Sequence, residues 1–234
     1  MTTKTAIVTG GSGGIGLACG RALAERGYDV LLVARRAGPL EAAARTVPAR
    51  WLAADCTEEA DIERIIAAAP SPAVLVHAAG VVEGALLRDH PPGLFDRVID
   101  ANLRSTYLLT KGLVARMEPG SHLFFLSSTA GLKGVAGFAA YSASKAGMNA
   151  FAHAVAAEVE PDGIGVHLIT PGPVRTEMLQ TAPHDDLWQL EPEDVASAVA
   201  WIDSLPARVV VREIIMRSAM KGPFAPQPLP AEGR

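Results

Sequence analysis

The chain has 234 residues, and its 21 basic and 25 acidic side chains give a formal net charge of −4. Hydrophobic residues make up 49% of the sequence and charged residues 20%, a balance that is typical of a packed globular domain and excludes a disordered chain. The negative charge and the lack of a long basic run argue against nucleic acid as a partner, because proteins that bind a phosphate backbone carry a basic face.

No apolar stretch approaches the roughly 18 to 20 residues that a membrane-spanning helix requires. The first strand-like run, Thr5 to Val8, begins too early to leave room for a signal peptide. We therefore expect a cytoplasmic protein with no membrane partner. Cys19 and Cys56 lack the C-x-x-C spacing of a redox or zinc motif, which favours two reduced, buried cysteines and no metal.

Seven short aliphatic runs alternate with alanine-rich stretches of helical length. Continuous apolar runs are typical of strands that are buried on both faces, and the intervening helices indicate repeated βαβ units. The sequence therefore predicts an α/β fold: a single-domain, Rossmann-type, doubly wound parallel sheet of about seven strands with helices on both faces. The predicted strands are Thr5 to Val8, Val30 to Val33, Trp51 to Ala54, Ala73 to Val76, His122 to Leu126, Val166 to Ile169 and Val209 to Ile215.

Three of the predicted helices have clear limits set by glycine, proline and capping residues. They run from Gly14 to Arg26 before Gly27, from Glu58 to Ala68 with Thr57 as the cap, and from Pro192 to about Ser204. Prolines recur near the C-terminus and forbid a regular helix there. We therefore predict one domain over residues 1–220 and a proline-rich tail over residues 221–234.

A glycine-rich segment, Thr9 to Gly16, joins the first predicted strand to the first predicted helix. Glycine lets backbone N–H groups approach a diphosphate, and a helix N-terminus adds partial positive charge. The segment therefore predicts a dinucleotide site. Two motif registers overlap in it, and the glycines do not choose between them: G-x-G-x-x-G at Gly11, Gly13 and Gly16, and T-G-x-x-x-G-x-G at Thr9, Gly10, Gly14 and Gly16.

The end of the second predicted strand indicates which dinucleotide binds. In folds of this kind an acidic residue about 20 residues beyond the glycines contacts the 2′-hydroxyl on the adenosine ribose of NAD. Here the strand ends instead in Ala34, Arg35 and Arg36. Because a guanidinium pairs well with a phosphate, NADP(H) is favoured over NAD(H).

Tyr141 and Lys145 lie four residues apart at the start of a predicted helix, which puts them on one face. A phenol with a pKa of about 10 is a poor acid or base at neutral pH, but a fixed cation one turn away favours the phenolate. The pair therefore suggests an acid-base catalyst, although Y-x-x-x-K alone is a weak signal.

Together these residues resemble the short-chain dehydrogenase/reductase family, in its compact single-domain branch, from about Thr5 to Met216. Further motifs occur in the family's order. They are Asp55, where the family contacts adenine; His77-Ala78-Ala79-Gly80, where the family has N-N-A-G; Asn102 in Asp100-Ala101-Asn102-Leu103; Ser128, thirteen residues before Tyr141; and Pro171-Gly172-Pro173-Val174-Arg175-Thr176 after the sixth strand.

The resemblance implies a catalytic tetrad of Asn102, Ser128, Tyr141 and Lys145. Tyr141 would be the general acid in reduction and the base in oxidation, and Ser128 would hydrogen-bond the substrate oxygen. Lys145 would lower the phenol pKa and hold the nicotinamide ribose, and Asn102 would order a water in the proton relay. Ser127 is the alternative serine, although strand alternation points it to the other face. Asn102 could instead only cap its own helix or pair with backbone within it.

The resemblance also assigns cofactor-binding residues. Those in the glycine segment would lie along the diphosphate, and Val174 and Thr176 would hold the nicotinamide carboxamide. The full predicted set is Gly10, Ser12, Gly14, Ile15, Gly16, Arg35, Arg36, Asp55, Cys56, Ala79, Gly80, Tyr141, Lys145, Pro171, Gly172, Val174 and Thr176. Ala78 departs from the family's pattern, because it replaces an asparagine that braces the central sheet; His77 beside it either compensates or is simply packed.

The sequence therefore predicts an NADP(H)-dependent oxidoreductase that transfers a hydride between the nicotinamide and a small to medium carbonyl or alcohol substrate. The resemblance implies a substrate lid after the Thr176 motif; here it would be short and partly apolar, over Glu177 to Leu190, which favours a largely apolar substrate. The alternative is a catalytically idle dinucleotide-binding sensor or scaffold. Within the enzyme class, a β-ketoacyl reductase, a hydroxysteroid-like enzyme and an amino- or hydroxy-acid 3-dehydrogenase stay open.

We also expect copies of the chain to associate. The helices around Leu94 to Arg116 and Tyr141 to Glu160 carry small and aliphatic residues on more than one face. The family resemblance adds that these two helices commonly form a dimer interface. A homodimer or homotetramer is therefore expected.

Overall fold

The computed structural model describes residues 3–177, 189–206 and 208–219. These residues form a seven-stranded sheet in the order β3-β2-β1-β4-β5-β6-β7, and every neighbouring pair is parallel. The strands are β1 (Thr5–Thr9), β2 (Asp29–Ala34), β3 (Ala49–Ala53), β4 (Val74–His77), β5 (His122–Leu126), β6 (Gly165–Pro171) and β7 (Glu213–Met216). The predicted parallel sheet of seven strands is confirmed.

Helices connect the strands and cover both faces of the sheet. They are α1 (Gly14–Glu25), α2 (Ala37–Ala44), α3 (Glu59–Ala68), α4 (Leu94–Ile99), α5 (Ser105–Leu113), α6 (Ala139–Val159) and α7 (Pro192–Asp203). The stretch predicted as one helix around Leu94 to Arg116 is interrupted, since a π-helical turn over Asp100–Arg104 joins α4 to α5.

Successive residues of a strand point to opposite faces of the sheet, so their side chains lie in two separate cores. Ile7 lies in the core that contains α3, α5 and α6, whereas its neighbours Ala6 and Val8 lie in the core that contains α1, α2 and α7. Both cysteines, Cys19 and Cys56, are buried and free, as predicted. The doubly wound arrangement therefore follows from continuous apolar strands that need cover on both sides.

The predicted cap of α3 is wrong. The helix begins at Glu59 with Glu58 at the N-cap position, and no side chain caps it. Thr57 donates its hydroxyl to the Asp55 carboxylate at 2.8 Å instead, because the turn after β3 brings these two residues together.

The last strand is shorter than predicted. Strand β7 begins at Glu213 and not at Val209, because its pairing with β6 starts with Leu168 opposite Glu213. Val209 precedes the strand and is exposed. The predicted tail (residues 221–234) and most of the predicted lid (residues 178–188) lie outside the described residues.

The sheet order contains a topological switch point between β1 and β4. From β1 the chain first builds outward through β2 and β3, and then returns to place β4 on the other side of β1. In doubly wound sheets the crevice at the carboxyl ends of the strands at such a point is where ligands bind.

Candidate active site

A cleft of about 930 Å³ opens at this switch point. Its walls include Gly10 after β1, Ala34 at the end of β2, Ala78 after β4 and Leu126 at the end of β5. The cleft therefore lies at the carboxyl edge of the sheet, where the fold is expected to bind a ligand.

Most of the predicted site residues line this cleft. They are Gly10, Ser12, Gly14, Ile15, Gly16, Arg35, Arg36, Asp55, Cys56, Ala79, Gly80, Tyr141, Lys145 and Thr176. The others, which are not part of its walls, are Asn102, Ser128, Pro171, Gly172 and Val174.

The segment after β6 is held by backbone hydrogen bonds. The Gly172 N–H donates to the Met216 carbonyl at 2.8 Å, which extends the pairing with β7. Val174 is buried and forms a β-bridge with Leu190. Thr176, two residues later, reaches the cleft wall. Of the predicted segment Pro171–Thr176, Thr176 thus lines the cleft, and the residues before it hold the backbone of the segment in place.

Close packing explains glycine at two positions in the Thr9–Gly16 segment. Gly10 has a φ of +68°, and a Cβ there would lie 2.7 Å from the Ala78 carbonyl oxygen. A Cβ on Gly16 would collide with the Gly10 carbonyl oxygen. The glycines therefore let the first turn of α1 pack directly against the strand ends, where Gly14, Ile15 and Gly16 line the cleft.

Two arginines stand at one part of the cleft wall. Arg35 and Arg36 follow β2, and both are exposed. Within the part of the chain that the structure describes, neither guanidinium makes a hydrogen bond or an ion pair with another side chain. They are therefore available to an anionic ligand group.

Asp55 and Cys56 lie on the same wall, after β3. The Asp55 carboxylate accepts hydrogen bonds from the Thr57 N–H at 3.0 Å and from the Thr57 hydroxyl at 2.8 Å, so its orientation is fixed. Burial raises the pKa of the Cys56 thiol to about 12. Cys56 is thus a neutral wall residue and not a nucleophile.

The Thr9 side chain joins the end of β1 to the segment that follows β4. Its hydroxyl oxygen accepts hydrogen bonds from the N–H groups of Ala78 and Ala79, each at 3.1 Å, and it donates to the Val76 carbonyl at 3.3 Å. Thr9 therefore ties the end of β1 to the end of β4 and fixes the floor of the cleft.

His77 is a packed core residue. It is buried, its ring stacks on Phe125 with 4.9 Å between centroids, and its Nε2 lies 2.9 Å from the Thr110 hydroxyl. Burial lowers the pKa of the imidazole to about 3, so the ring is neutral at physiological pH. Of the two interpretations of His77, compensation for Ala78 or simple packing in the core, the structure favours packing.

Asn102 lies in the π-helical turn and is completely buried. Its Oδ1 accepts from the Val81 N–H at 2.7 Å, and its Nδ2 donates to the Val81 carbonyl at 3.0 Å and to the Ser144 hydroxyl at 2.9 Å. The amide therefore pairs with the loop after β4 and with α6, and not with backbone in its own helix. It holds both of these cleft elements in place.

Tyr141 and Lys145 are brought together on α6 as the helical spacing predicts. The Lys145 Nζ lies 5.9 Å from the centre of the Tyr141 ring and donates to the Leu126 carbonyl at 2.8 Å. Burial lowers the pKa of Lys145 to about 8. Burial also raises the pKa of the Tyr141 phenol, and a hydrogen bond from the Ser128 side chain opposes that rise.

The two neighbouring serines have different surroundings. Ser128 begins the short turn Thr129–Gly131, where its Oγ accepts from the Ala130 N–H at 3.2 Å, and it is the serine that hydrogen-bonds the Tyr141 phenol. Ser127 is buried, lines the cleft, and donates its hydroxyl to the Asn149 amide oxygen. Ser127, which strand alternation was expected to point to the other face, thus lies in the cleft wall, and the choice of Ser128 as the catalytic serine stays a prediction.

Three residues that organise this site were not predicted from the sequence in that role: Thr9 as a brace, Ser144 and Asn149. Ser144 and Asn149 follow Tyr141 on α6, at three and eight residues' distance, so helical spacing puts them near the catalytic face. That spacing was the one available signal, because their partners lie far away in the sequence.

Membrane and metal features are absent from the described ranges. No helix there is long and apolar enough to cross a membrane. The same residues contain no group of three histidine, cysteine or acidic side chains that could hold a metal ion.

Comparison with known proteins establishes the family. The family described as short chain dehydrogenase matches residues 4–187, and the chain belongs to it. Carbonyl reductase family member 4 of Danio rerio is 33% identical over 184 residues, which covers 75% of this chain and 78% of that protein. The protein is thus an oxidoreductase of the short-chain dehydrogenase/reductase family.

Solved structures agree with this assignment. A metagenomic short-chain oxidoreductase in complex with NADP is 31% identical, with a TM-score of 0.79 over 93% of this chain and 98% of that one. The 3-ketoacyl-(acyl-carrier-protein) reductase of Brucella melitensis, complexed with NADH, is 26% identical, with a TM-score of 0.85 over 92% of this chain and 97% of that one.

Proposed function

We propose that the protein is an NADP(H)-dependent oxidoreductase that interconverts a small to medium carbonyl compound and its alcohol, with Tyr141 as the acid and base. One observation carries the proposal: the glycine segment, the two arginines and the Tyr141–Lys145 pair all line a single cleft. A dinucleotide held by the first two groups would extend toward the third, which is the geometry that hydride transfer needs.

The residues of the cleft fit NADP(H). The first turn of α1 offers N–H groups and partial positive charge to a diphosphate, and the exposed guanidinium groups of Arg35 and Arg36 suit a 2′-phosphate. Asp55 and Cys56 would border the adenine, while Lys145 and Thr176 would hold the nicotinamide ribose and carboxamide. When bound, the cofactor supplies a hydride from C4 of its nicotinamide ring.

Tyr141 handles the proton that accompanies the hydride. In reduction its phenol donates a proton to the carbonyl oxygen as negative charge develops there, and in oxidation the phenolate takes that proton back. Ser128 donates a second hydrogen bond to the same oxygen, and two such donors stabilise the developing charge. Burial raises the pKa of the phenol, and the proposed role of Lys145, buried with its Nζ 5.9 Å from the centre of the ring, is to oppose that rise by favouring the phenolate. Asn102 fixes the loop and the helix on either side, and a role in ordering a relay water stays a prediction.

The substrate proposed is a largely apolar carbonyl compound. Val81 and Val82 line the cleft in the loop that follows β4, where Asn102 fixes Val81. The names of the two relatives, a carbonyl reductase and a 3-ketoacyl-(acyl-carrier-protein) reductase, support ketones and β-ketoacyl thioesters as the first compounds to test.

We further propose that the chain works as a homodimer or homotetramer. Phe95 on α4 and Tyr107 on α5 are 53% and 43% exposed, which is unusual for such large apolar side chains on neighbouring helices. Analytical ultracentrifugation tests this, and a monomer at micromolar concentration would contradict it. A cytoplasmic location is also part of the proposal, because two buried free cysteines fit a reducing compartment.

The experiment that tests the function is a titration of the purified protein with NADPH and NADH, followed by nicotinamide fluorescence. A panel of aldehydes, ketones and β-ketoacyl thioesters is then assayed with the tighter cofactor for loss of nicotinamide absorbance. Tighter binding of NADPH with turnover of a carbonyl is expected. Binding without turnover across the panel would favour an idle sensor, and the absence of dinucleotide binding would overturn the proposal.

A further inference from the structure

Asn149 connects two elements that each carry part of the catalytic group. It lies on α6, eight residues after Tyr141. Its Oδ1 receives the hydroxyl hydrogen of Ser127, and its Nδ2 donates to the Gly131 carbonyl at 3.4 Å. Since a backbone carbonyl can only accept, this orientation of the amide is the one that satisfies both contacts. One side chain thus grips both ends of the segment 127–131, which contains Ser128.

The segment 127–131 also lies directly against α6. A Cβ on Gly131 would lie 2.8 Å from the Lys145 carbonyl carbon and 3.0 Å from the Ala146 nitrogen, so only glycine permits this approach. Within the segment, the Gly131 N–H donates to the Ser128 carbonyl at 2.8 Å. The segment that carries Ser128 is therefore held against α6 at both ends.

We propose that Asn149 is a positioning residue: by clamping Ser127 and Gly131 to α6, it sets the distance between the Ser128 hydroxyl and the Tyr141 phenol. The proposal rests on the proposed function, because it assigns Asn149 a part in the same acid-base site. The two side-chain hydrogen bonds of Asn149 are made with Ser127 and Gly131, and the proposal assigns it no contact with substrate or cofactor. It acts through Ser128.

The same contact explains why two adjacent serines do different work. The Ser127 hydroxyl faces the Asn149 amide oxygen, and its other neighbouring acceptor, the Lys145 carbonyl, is at 3.5 Å. A hydroxyl has one hydrogen to donate. Ser127 therefore donates its one hydroxyl hydrogen to Asn149. Ser128 is then the serine whose hydroxyl can donate to the substrate oxygen.

The test uses the full chain with Asn149→Leu, which keeps the size of the side chain and removes both hydrogen bonds. Ser127→Ala removes one of the two contacts with a smaller change, and His153→Ala is the matched control on an exposed site of the same helix. Each variant is assayed for kcat, for the KM of NADPH and for the pH dependence of turnover. Hydrogen exchange at the Ala130 and Gly131 amides gives a readout that does not depend on activity.

We expect Asn149→Leu to lower kcat by roughly 10- to 100-fold with an unchanged KM for NADPH, because misplacement of a catalytic group slows the chemical step. The pH profile should move to higher pH, since the phenol loses the Ser128 hydrogen bond that favours its ionised form. Ser127→Ala should do the same to a smaller degree, and the double variant should lose less than the product of the two single losses. The amides of residues 130 and 131 should exchange faster.

The proposal would be overturned if Asn149→Leu and Ser127→Ala both kept the kcat, the pH profile and the exchange rates of the wild type. A loss of thermal stability with an unchanged pH profile would also overturn it, since Asn149 would then only support the fold. If the wild-type chain reduces no carbonyl compound, the proposed function fails. In that case, faster exchange confined to residues 130 and 131 in Asn149→Leu would still support the role of Asn149 in holding the segment. Unchanged exchange would then overturn that role as well.

Discussion

At the end of β2, Arg35 and Arg36 stand where an acidic residue would contact the ribose of NAD. Both guanidinium groups are exposed on the cleft wall. Changing Arg35 to Asp should weaken NADPH binding by roughly 10- to 100-fold, because charge-assisted hydrogen bonds of about 1.5–3 kcal/mol are lost and repulsion is added. NADH, which has no 2′-phosphate, should lose far less. Fluorescence titration with each cofactor measures the ratio.

The matched control is Arg116→Asp. It makes the same change of charge at an exposed site before β5, at the opposite edge of the sheet. This variant should keep the wild-type ratio of the two affinities. An equal loss of NADPH and NADH in Arg35→Asp would remove the 2′-phosphate assignment.

Single residues differ in how far the sequence predicts their role. Tyr141 and Lys145 could be paired from sequence, because helical spacing alone brings them to one face. The contacts of Asn102 and Asn149 could not, since Asn102 reaches Ser144, 42 residues away, and Asn149 reaches Ser127, 22 residues away. Such pairs depend on how α6 packs on its neighbours, which no local pattern encodes.

At the level of elements, the packing of α1 against the strand ends depends on Gly16. Gly16→Ala places a Cβ against the Gly10 carbonyl oxygen, so α1 has to move away from the strands. Such overpacking costs about 1–3 kcal/mol of stability. We expect a lower free energy of unfolding in urea and a weaker affinity for both cofactors, because the first turn of α1 lines the cleft.

Gly38→Ala is the control for this substitution. Gly38 lies in α2, and a Cβ there meets nothing within 4 Å. Alanine is favoured over glycine in a helix by about 0.5–1 kcal/mol, so this variant should be slightly more stable than the wild type. Equal stability of Gly16→Ala and the wild type would contradict the packing account.

Element types and element limits were predictable to different degrees. Strand β5 occupies His122–Leu126 as predicted, because a continuous apolar run ends at polar residues on both sides. The start of α3 was misplaced, since the Thr57 N–H and hydroxyl both donate to the Asp55 carboxylate, and the Thr57 oxygen does not accept from the N–H groups of the helix. The start of β7 was misplaced because pairing with β6 begins only at Leu168 opposite Glu213; before that point the Val211 carbonyl lies 2.8 Å from the His167 ring nitrogen Nδ1 and forms no strand pair.

For the molecule as a whole, the packed histidines predict acid sensitivity. Burial lowers the pKa of His77 to about 3 and that of His167 to about 4. An unfolded histidine titrates near pH 6.5, so the unfolded state binds more protons below that pH. The free energy of unfolding should therefore fall as pH decreases from about 6.5 toward 4, by up to ~1.4 kcal/mol per pH unit for each histidine.

Urea unfolding at a series of pH values measures this slope. His77→Asn removes one titrating ring and keeps a polar group near Thr110, so its slope should be smaller by about one proton. His153→Ala, which removes an exposed histidine, controls for the change in histidine number. A free energy of unfolding that does not change over this range would contradict the prediction.

The overall architecture was the most predictable level. Continuous apolar runs separated by helical segments predict a doubly wound parallel sheet, and the glycine segment after β1 marks the ligand edge. Arg35 and Tyr141 line the same cleft because of the sheet order. That order places β2 and β5 on either side of the adjacent strands β1 and β4, so residues near their carboxyl ends face one crevice. That proximity could not be predicted from a local pattern, because the two residues are 106 positions (141 − 35) apart in the sequence.

The most direct test of the account is a comparison of wild type and Tyr141→Phe with NADPH and a carbonyl compound that the wild type reduces. The phenylalanine keeps the ring and removes the one proton donor that the mechanism needs. We predict that kcat falls by on the order of 10²–10⁴-fold while the affinity for NADPH changes far less, because Tyr141 is one of many predicted cofactor contacts. Turnover of the same compound by Tyr141→Phe at the wild-type rate would contradict the assignment of Tyr141 as the acid and base.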